Sequence, residues 1–248
     1  MLQPQRPPSQ VPILAARAQA GARLVPLNMF AGSLAAKVYQ TLRRAILELR
    51  FKPGEIIRKP EICAELGVSR SPVSDAVARL AAEGLVDVIP QAGTYVARFS
   101  MAEIREGAFL REAIELASVE RVAGIISEDQ LVVLRRNLAV QSVLVADGDF
   151  AGFYKLDSEM HELLLSFSGF RKLSAVSDAA SAHVNRARQV LLPVPGRVLA
   201  TLGEHKAILA ALEARDPLAA RHAVRHHLRQ LLTLVEPLER SHPDLFHP

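Results

Sequence analysis

The chain has 248 residues, which is enough for two domains that each contain a core. Half of the residues are hydrophobic and there is no Trp, while the lone Cys63 excludes an intramolecular disulfide and no apolar run reaches a membrane span of ~18 residues. The net charge of +4 is uneven, because residues 1–100 hold 13 Lys and Arg against 7 Asp and Glu, which indicates a polyanionic partner.

The N-terminal residues 1–32 are rich in Pro, Gln, Ala and Arg and show little periodicity. This composition predicts a disordered or loosely held extension. Its prolines interrupt any apolar segment that could serve as a signal peptide, so a cytoplasmic location is expected. Translation could start at Met1 or at Met29.

Residues 33–98 predict three short helices followed by a hairpin. Ser33 can cap the first helix, and Gly67 can end the second. The third helix buries a stripe of apolar residues, after which two β-like runs flank a turn at 90–93. This order is that of a winged helix-turn-helix, the DNA-binding unit in which the third helix enters the major groove. The stripe of the third helix consists of Val73, Val77 and Leu80.

Residues 99–240 predict an all-helical, antiparallel bundle, and residues 241–248 a tail. Ser127 begins a capping box with Gln130, and Asp216 precedes a proline at a first helical position. The connections between helices are short, which suits antiparallel neighbours. The fold class is therefore mainly α, with helices expected at about 101–125, 128–146, 149–167, 170–191, 197–214 and 217–240.

Four residues of the helical domain have the spacing of a metal site. Asp157 and His161 are four residues apart and share a helix face. His205 and His227 are equidistant from the turn at Asp216, so an antiparallel hairpin places them level with each other. Three imidazoles and one carboxylate suit zinc, nickel or manganese. Among the other histidines, His183 is a candidate for supporting these ligands, and four are assigned to the surface or core: His222, His226, His242 and His247.

The segment Gly67–Ala76, with Pro53-Gly54-Glu55 before it, resembles the recognition helix of the GntR family of transcription regulators. The resemblance covers residues 34–97 and implies a homodimer on a near-palindromic DNA operator. It implies DNA contacts from residues 69–71 and from the glycine at the wing tip. Position 74 is included because it lies one turn after Arg70, although the family usually carries Arg there. The DNA-binding candidates are Ser69, Arg70, Ser71, Ser74 and Gly93.

The helical domain resembles the C-terminal domain of the FadR subfamily. The pattern Asp-x3-His, a later His before Ile208, and a final His-Leu matches all four of its ligand positions. The resemblance implies a divalent metal in the bundle cavity and a small carboxylate effector beside it. Arg111 matches a position that can face this cavity, and Arg186 and Arg188 are looser effector candidates. The implied function is a DNA-binding transcription regulator, a repressor controlled by that effector.

Three other functions fit parts of the pattern. A metallohydrolase also uses His and Asp to activate water, but no further acid or base is evident here, so an enzyme is not expected. A dedicated metal sensor would use the ion itself as the signal. A winged helix that serves only protein interactions would leave Arg70 unexplained.

Overall fold

The computed structural model describes residues 23–191 and 196–247, which fold into two compact units. The first unit comprises Met1–Ser100, Asn185–Val190 and His242–Pro248, and the second comprises Met101–Val184 and Leu191–Ser241, each over its described residues. The boundaries between the units at residues 100/101 and 241/242 lie one or two residues from those that the sequence predicts. Two later segments also belong to the first unit, and the sequence does not predict this. No helix in the described part of the chain has the length and apolar content of a membrane span.

The first unit is the winged helix-turn-helix that the sequence predicts. Over residues 23–100 it contains a short 3-10 helix, three α-helices and a two-stranded antiparallel sheet that pairs Val86 with Val96. The elements are the 3-10 helix Leu27–Met29, α1 (Leu34–Leu47), α2 (Lys59–Leu66), α3 (Arg70–Ala82), β1 (Val86–Ile89) and β2 (Gly93–Val96).

Local chemistry sets the helix ends of this unit. The Ser33 hydroxyl accepts a hydrogen bond from the amide of Ala36, and Gly67 ends α2 in the left-handed conformation. Residues 23–32 belong to the expected N-terminal extension and include the short 3-10 helix Leu27–Met29. Leu24 is buried, and its amide donates to the Glu65 carboxylate at 3.2 Å. Residues 1–22 lie outside the described part of the chain.

The wing is more than a hairpin. Tyr95 of β2 forms an antiparallel bridge with Ile56, so the loop between α1 and α2 lines the outer edge of the sheet. At the tip, Gly93 has a φ of +142°, and a Cβ there would lie 3.3 Å from the Tyr95 ring. The backbone conformation therefore favours glycine at this position, and a Cβ would crowd the Tyr95 ring.

The second unit is a bundle of antiparallel helices. In it α4 packs along α10, α5 along α6, and α9 along α10. The predicted capping box of Ser127 and Gln130 and the predicted cap at Asp216 are present. The helices after residue 100 are α4 (Met101–Ile125), α5 (Glu128–Asp147), α6 (Phe150–Phe167), α7 (Leu173–Ala180), α8 (Ala182–Leu191), α9 (Arg197–Glu213) and α10 (Pro217–Ser241). Residues 185–190 of α8 belong to the first unit.

One helix boundary was predicted wrongly. The expected single helix 170–191 is two helices, α7 and α8, which meet at Ser181. Ser181 has φ −94° and ψ 4°, outside the helical region, and serine favours helix ends because its hydroxyl competes for backbone hydrogen bonds. The predicted loop at 193–196 lies largely outside the described residues. The core of the bundle is built from buried side chains of α4, α5, α6, α9 and α10, among them Val119, Leu134, Met160, Ile208 and Val224.

Candidate metal centre and nucleic-acid interface

The structure brings the four predicted metal ligands together. Asp157 and His161 lie on α6, His205 on α9 and His227 on α10, and all four are buried. One ligand atom from each lies within 4.8 Å of the others. The imidazole rings of His205 and His227 have centroids 4.7 Å apart, as expected for residues equidistant from the hairpin turn.

Each of the three imidazoles has its outer nitrogen held by an acceptor. His161 Nδ1 donates to Glu115 Oε2 at 2.6 Å, and His227 Nδ1 donates to Glu204 Oε2 at 2.7 Å. His205 Nδ1 donates to the Gln141 amide oxygen at 2.8 Å. A proton on Nδ1 leaves the Nε2 lone pair available, so all three rings offer the nitrogen on the side of Asp157 as a ligand.

A further layer fixes these acceptors. Arg111 Nε donates to Glu115 at 2.6 Å, and Arg197 donates to both oxygens of Glu204 at 2.7 Å. The Gln141 amide nitrogen donates to Asn137 at 2.7 Å, which turns the amide oxygen towards His205. The sequence did not assign these supporting roles. A metal-bound histidine needs an acceptor at its second nitrogen, but the pattern does not tell which polar residue supplies it.

Burial sets the protonation of the centre. Burial lowers the pKa of His161, and it lowers the pKa of His227 well below the ordinary value. Burial alone would raise the pKa of Glu115, but Arg111 and His161 hold it well below its usual range. The hydrogen bonds from His227 and Arg197 likewise overcome burial and lower the pKa of Glu204 to about 2. At neutral pH His161 and His227 are therefore neutral, and Glu115 and Glu204 are ionised.

The donor set fits a divalent cation. With protons on Nδ1, the Nε2 atoms of His161 and His227 face each other at 3.1 Å as two acceptors. His205 Nε2 lies 3.3 Å from Asp157 Oδ1. Two acceptor nitrogens such as those of His161 and His227 repel each other unless a cation lies between them. A tetrahedral zinc ion with bonds of ~2.0–2.1 Å separates its ligand atoms by about 3.3 Å, close to both distances.

One of the three candidate effector residues belongs to the hydrogen-bond network of this centre. Arg111 donates to Glu115, and Glu115 in turn accepts a hydrogen bond from the metal-ligand candidate His161. Arg186 and Arg188 belong to the first unit, where Arg186 donates to the backbone of Ala97. His183 pairs with Glu103 at 3.1 Å.

The recognition helix α3 has two distinct faces. Val73, Val77 and Leu80 are buried as predicted. The candidate DNA-contacting residues at the N-cap of α3 and within it are exposed: Ser69, Arg70, Ser71 and Ser74. Gly93 begins β2 next to the turn of the wing.

Arg70 occupies an electrostatically unfavourable place for a cation. It is the first residue of α3, at the positive end of the helix dipole. Within residues 23–191 and 196–247, no acidic side chain pairs with it. The Ser69 hydroxyl makes no capping bond to α3. An external anion would satisfy Arg70, the Ser69 hydroxyl and the amides of the first turn together.

A winged helix with an exposed recognition helix, followed by a helical bundle with buried ligand groups, defines a class of two-domain DNA-binding regulators. Residues 34–96 match the family model of the bacterial regulatory proteins, gntR family, and residues 106–230 match the FCD domain. The chain belongs to the GntR family, in the FadR-type group that carries an FCD domain. It is a DNA-binding transcription regulator.

Known proteins agree with this assignment. The chain is 32% identical over 210 residues to the HTH-type transcriptional repressor RspR of Escherichia coli K12, covering 85% of this chain and 92% of RspR. A regulator in an unstable DNA locus of Streptomyces ambofaciens is 34% identical over 209 residues, covering 84% and 88%. The solved structure of E. coli McbR/YncC has the same fold, with a TM-score of 0.74 at 20% identity over 84% of this chain and 99% of that one.

Proposed function

We propose that this regulator is a homodimeric repressor whose binding to its operator is controlled by a small carboxylate effector at a divalent metal ion. The metal would be held by Asp157, His161, His205 and His227, and zinc, nickel and manganese are the candidates. One observation carries the proposal: three buried imidazoles have Nδ1 hydrogen-bonded and offer Nε2 to the same small region as a carboxylate. RspR, which is named a repressor, supports the direction of control.

The charges around the centre favour an anionic effector. Glu115 is matched by Arg111, and Glu204 by Arg197. Asp157 would cancel one of the two positive charges of the ion, so the loaded centre would keep a net positive charge in buried surroundings. A carboxylate would neutralise it as an added ligand, since zinc can expand to five ligands. The N–H groups of Arg111 other than Nε could then hold the second carboxylate oxygen.

DNA binding is assigned to α3 and the wing. Arg70 would contact a guanine edge or phosphate, and Ser69 and Ser71 would contact phosphate at the start of the helix. Ser74, one turn later on the same exposed face, would add a neutral contact. Gly93 would allow the wing tip to approach the backbone closely.

The homodimer is supported by an apolar face on α4. Every exposed residue between Glu106 and Arg121 is apolar, and Phe109 is 73% exposed. Large and small side chains share this face, so an antiparallel copy of α4 could place Phe109 against the alanines of its partner. A second copy also supplies the second recognition helix that a palindromic operator requires. The exposed residues of this face are Phe109, Leu110, Ala113 and Ala117.

The test compares the metal content and effector response of three variants with those of the wild type. His205→Ala and His227→Ala should lose the metal, bind operator DNA, and no longer respond to carboxylates. His222→Ala, an exposed histidine on the same helix as His227, should behave as wild type. Metal is counted by elemental analysis, and a panel of mono-, di- and hydroxycarboxylates is screened by thermal shift with and without metal. Full metal content and full response in the first two variants would refute the ligand assignment.

A further inference from the structure

The short segment Ala97–Phe99, directly after β2, is held by two distant parts of the chain. Phe99 is 1% exposed, and it contacts both the C-terminal tail and a residue of α8. Both contacting segments belong to the first unit, with the winged helix. The sequence pattern predicts no role for the tail, and it makes Arg186 a candidate for effector binding.

The tail binds this segment through its backbone as well as its side chains. The Phe99 amide donates to the Leu245 carbonyl at 2.9 Å, and the His247 amide donates to the Phe99 carbonyl at 2.8 Å. The Arg98 guanidinium donates to the Asp244 carbonyl at 3.1 Å. The rings of Phe99 and Phe246 are 5.4 Å apart, and Phe246 is buried. Paired backbone bonds and an aromatic contact together specify one register for the tail.

Arg186 holds the same segment from another direction. It is fully buried, its Nη2 donates to the Ala97 carbonyl at 2.6 Å, and its guanidinium lies 5.0 Å from the centre of the Phe99 ring. Burying a guanidinium is costly unless its geometry is well satisfied. A planar group that both donates to a carbonyl and covers an aromatic ring fixes orientation better than an apolar side chain of the same size.

The held segment is the root of the wing. The Ala97 amide donates to Leu85 at 3.1 Å, and Val96 pairs with Val86 in the sheet. Gly93, at the other end of β2, is six residues before Phe99, so the extended chain between them spans about 20 Å. A tilt of about 5° at the root would move the tip by about 2 Å, which is enough to break a hydrogen bond to phosphate.

We propose that Arg186 and Phe246 are positioning residues for DNA binding. They do not touch DNA. They fix Ala97–Phe99 and thereby hold the wing tip at the height and angle from which it contacts the DNA backbone. The inference rests on the proposed contact of Gly93 with DNA.

The test measures operator affinity as a function of salt for Phe246→Ala and Arg186→Met. The probe is a duplex that the wild-type protein selects from a random pool. Each variant should bind at least fivefold more weakly, and the slope of log affinity against log salt should fall by about one unit for each phosphate contact that the wing loses. Phe246→Tyr should restore the wild-type values. Asp244→Ala should also match wild type, because Arg98 bonds the backbone carbonyl of that residue and not its side chain.

A double-mutant cycle separates positioning from mere stability. Gly93→Ala should itself weaken binding, because the new Cβ meets Tyr95 and the backbone conformation is strained. If Phe246 acts through the wing, adding Phe246→Ala to Gly93→Ala should cost little further affinity. A tail that only stabilises the fold would instead lower the unfolding midpoint and leave the salt slope unchanged, and this result overturns the proposal.

Two further readouts keep the outcome clear. If Phe246→Ala does not fold, Arg98→Ala is measured in the same way, because it removes the hydrogen bond from Arg98 to the Asp244 carbonyl of the tail. The metal content of every variant is determined alongside, and it should equal that of the wild type. A wild type without metal would refute the proposed metal centre, whereas the salt slopes would still decide the role of Phe246.

Discussion

Glu204 Oε2 lies 2.7 Å from Nδ1 of His227, and the same carboxylate accepts hydrogen bonds from both terminal nitrogens of Arg197 at 2.7 Å. The chain from Arg111 through Glu115 to His161 repeats this arrangement on α4 and α6. In both cases an arginine neutralises the carboxylate that orients an imidazole. The rings are thus fixed in one tautomer without adding net charge around the site.

Glu204→Gln should lower metal affinity by about tenfold, within the ~10–100-fold range typical of such supporting groups. The glutamine keeps the size of the side chain but has no charge. The carboxylate charge of Glu204 balances Arg197 and raises the basicity of His227, and both effects are lost in the variant. Affinity is measured by competition with a chelating indicator. The control is Glu213→Gln, an exposed glutamate on the same helix that pairs with Arg135. Equal affinities for both variants would contradict the supporting role of Glu204.

The metal-free protein should lose stability as the pH falls below about 6.5. The buried His161 and His227 have lowered pKa values, so below the ordinary value of 6.5 the unfolded chain binds protons that the native state does not. Their contribution is therefore complete above that pH, and each histidine costs about 1.4 kcal/mol per pH unit below it until its native pKa is reached. The lowered pKa values of Glu115 and Glu204 act only below about 4.5. Urea unfolding with a chelator at pH 7.5, 6.5 and 5.5 measures this, and His227→Gln should show a shallower dependence.

Phe109→Glu should dissociate the dimer, raising its dissociation constant at least tenfold. A glutamate at this position would be buried against the alanines of the partner copy, where an unpaired charge is costly. Sedimentation velocity at micromolar concentration measures the effect. Leu218→Glu is the matched control, since Leu218 on α10 is 74% exposed but lies on another helix. A Phe109→Glu protein that remains dimeric would place the interface elsewhere.

Gly107→Ala should destabilise the protein by about 1–2 kcal/mol. A Cβ at Gly107 would lie 2.6 Å from the Ala180 carbonyl oxygen, so α4 and α7 would have to separate. Overpacking of this kind costs about 1–3 kcal/mol, more than the gain of up to ~1 kcal/mol in helix propensity. Gly203→Ala in α9 meets no atom within 4 Å and should be stabilising instead. Urea unfolding of both variants measures the difference in sign.

Much of the fold could be predicted because its signals are local. Ser33, Ser127 and Asp216 cap their helices through bonds to amides two or three residues away, so the sequence alone locates the helix starts. The pairing of His205 with His227 is also nearly local, since one short turn sets the register of a helical hairpin. These features need no knowledge of how distant helices pack.

The supporting groups of the centre could not be predicted in this way. Glu115 reaches His161 from a helix 46 residues earlier, and Gln141 reaches His205 across 64 residues. Those contacts depend on the rotation of α4 and α5 about their axes, which tertiary packing decides. Arg186 shows the same limit, because its partner Ala97 lies 89 residues away.

Arg70 should carry most of the direct readout of the operator. Arg70 and Ser74 are one turn apart on the exposed face of α3, but only the arginine has reach and charge. Arg70→Ala should cost about 1–3 kcal/mol of operator binding, the range for one bidentate contact to a base. Ser74→Ala should cost less, since a neutral hydrogen bond contributes about 1 kcal/mol. Ser74→Arg should raise affinity and steepen the salt dependence by about one unit of slope if the new side chain reaches a phosphate.

The measurement is operator affinity against salt for the wild type and the three variants. Arg240→Ala serves as the control, because it removes one positive charge from the end of α10 and leaves the recognition helix unchanged. Its affinity should stay within twofold of the wild type. A Ser74→Ala protein as impaired as Arg70→Ala would show that α3 docks with a different face, because a hydroxyl contact cannot match the loss of a charged bidentate one.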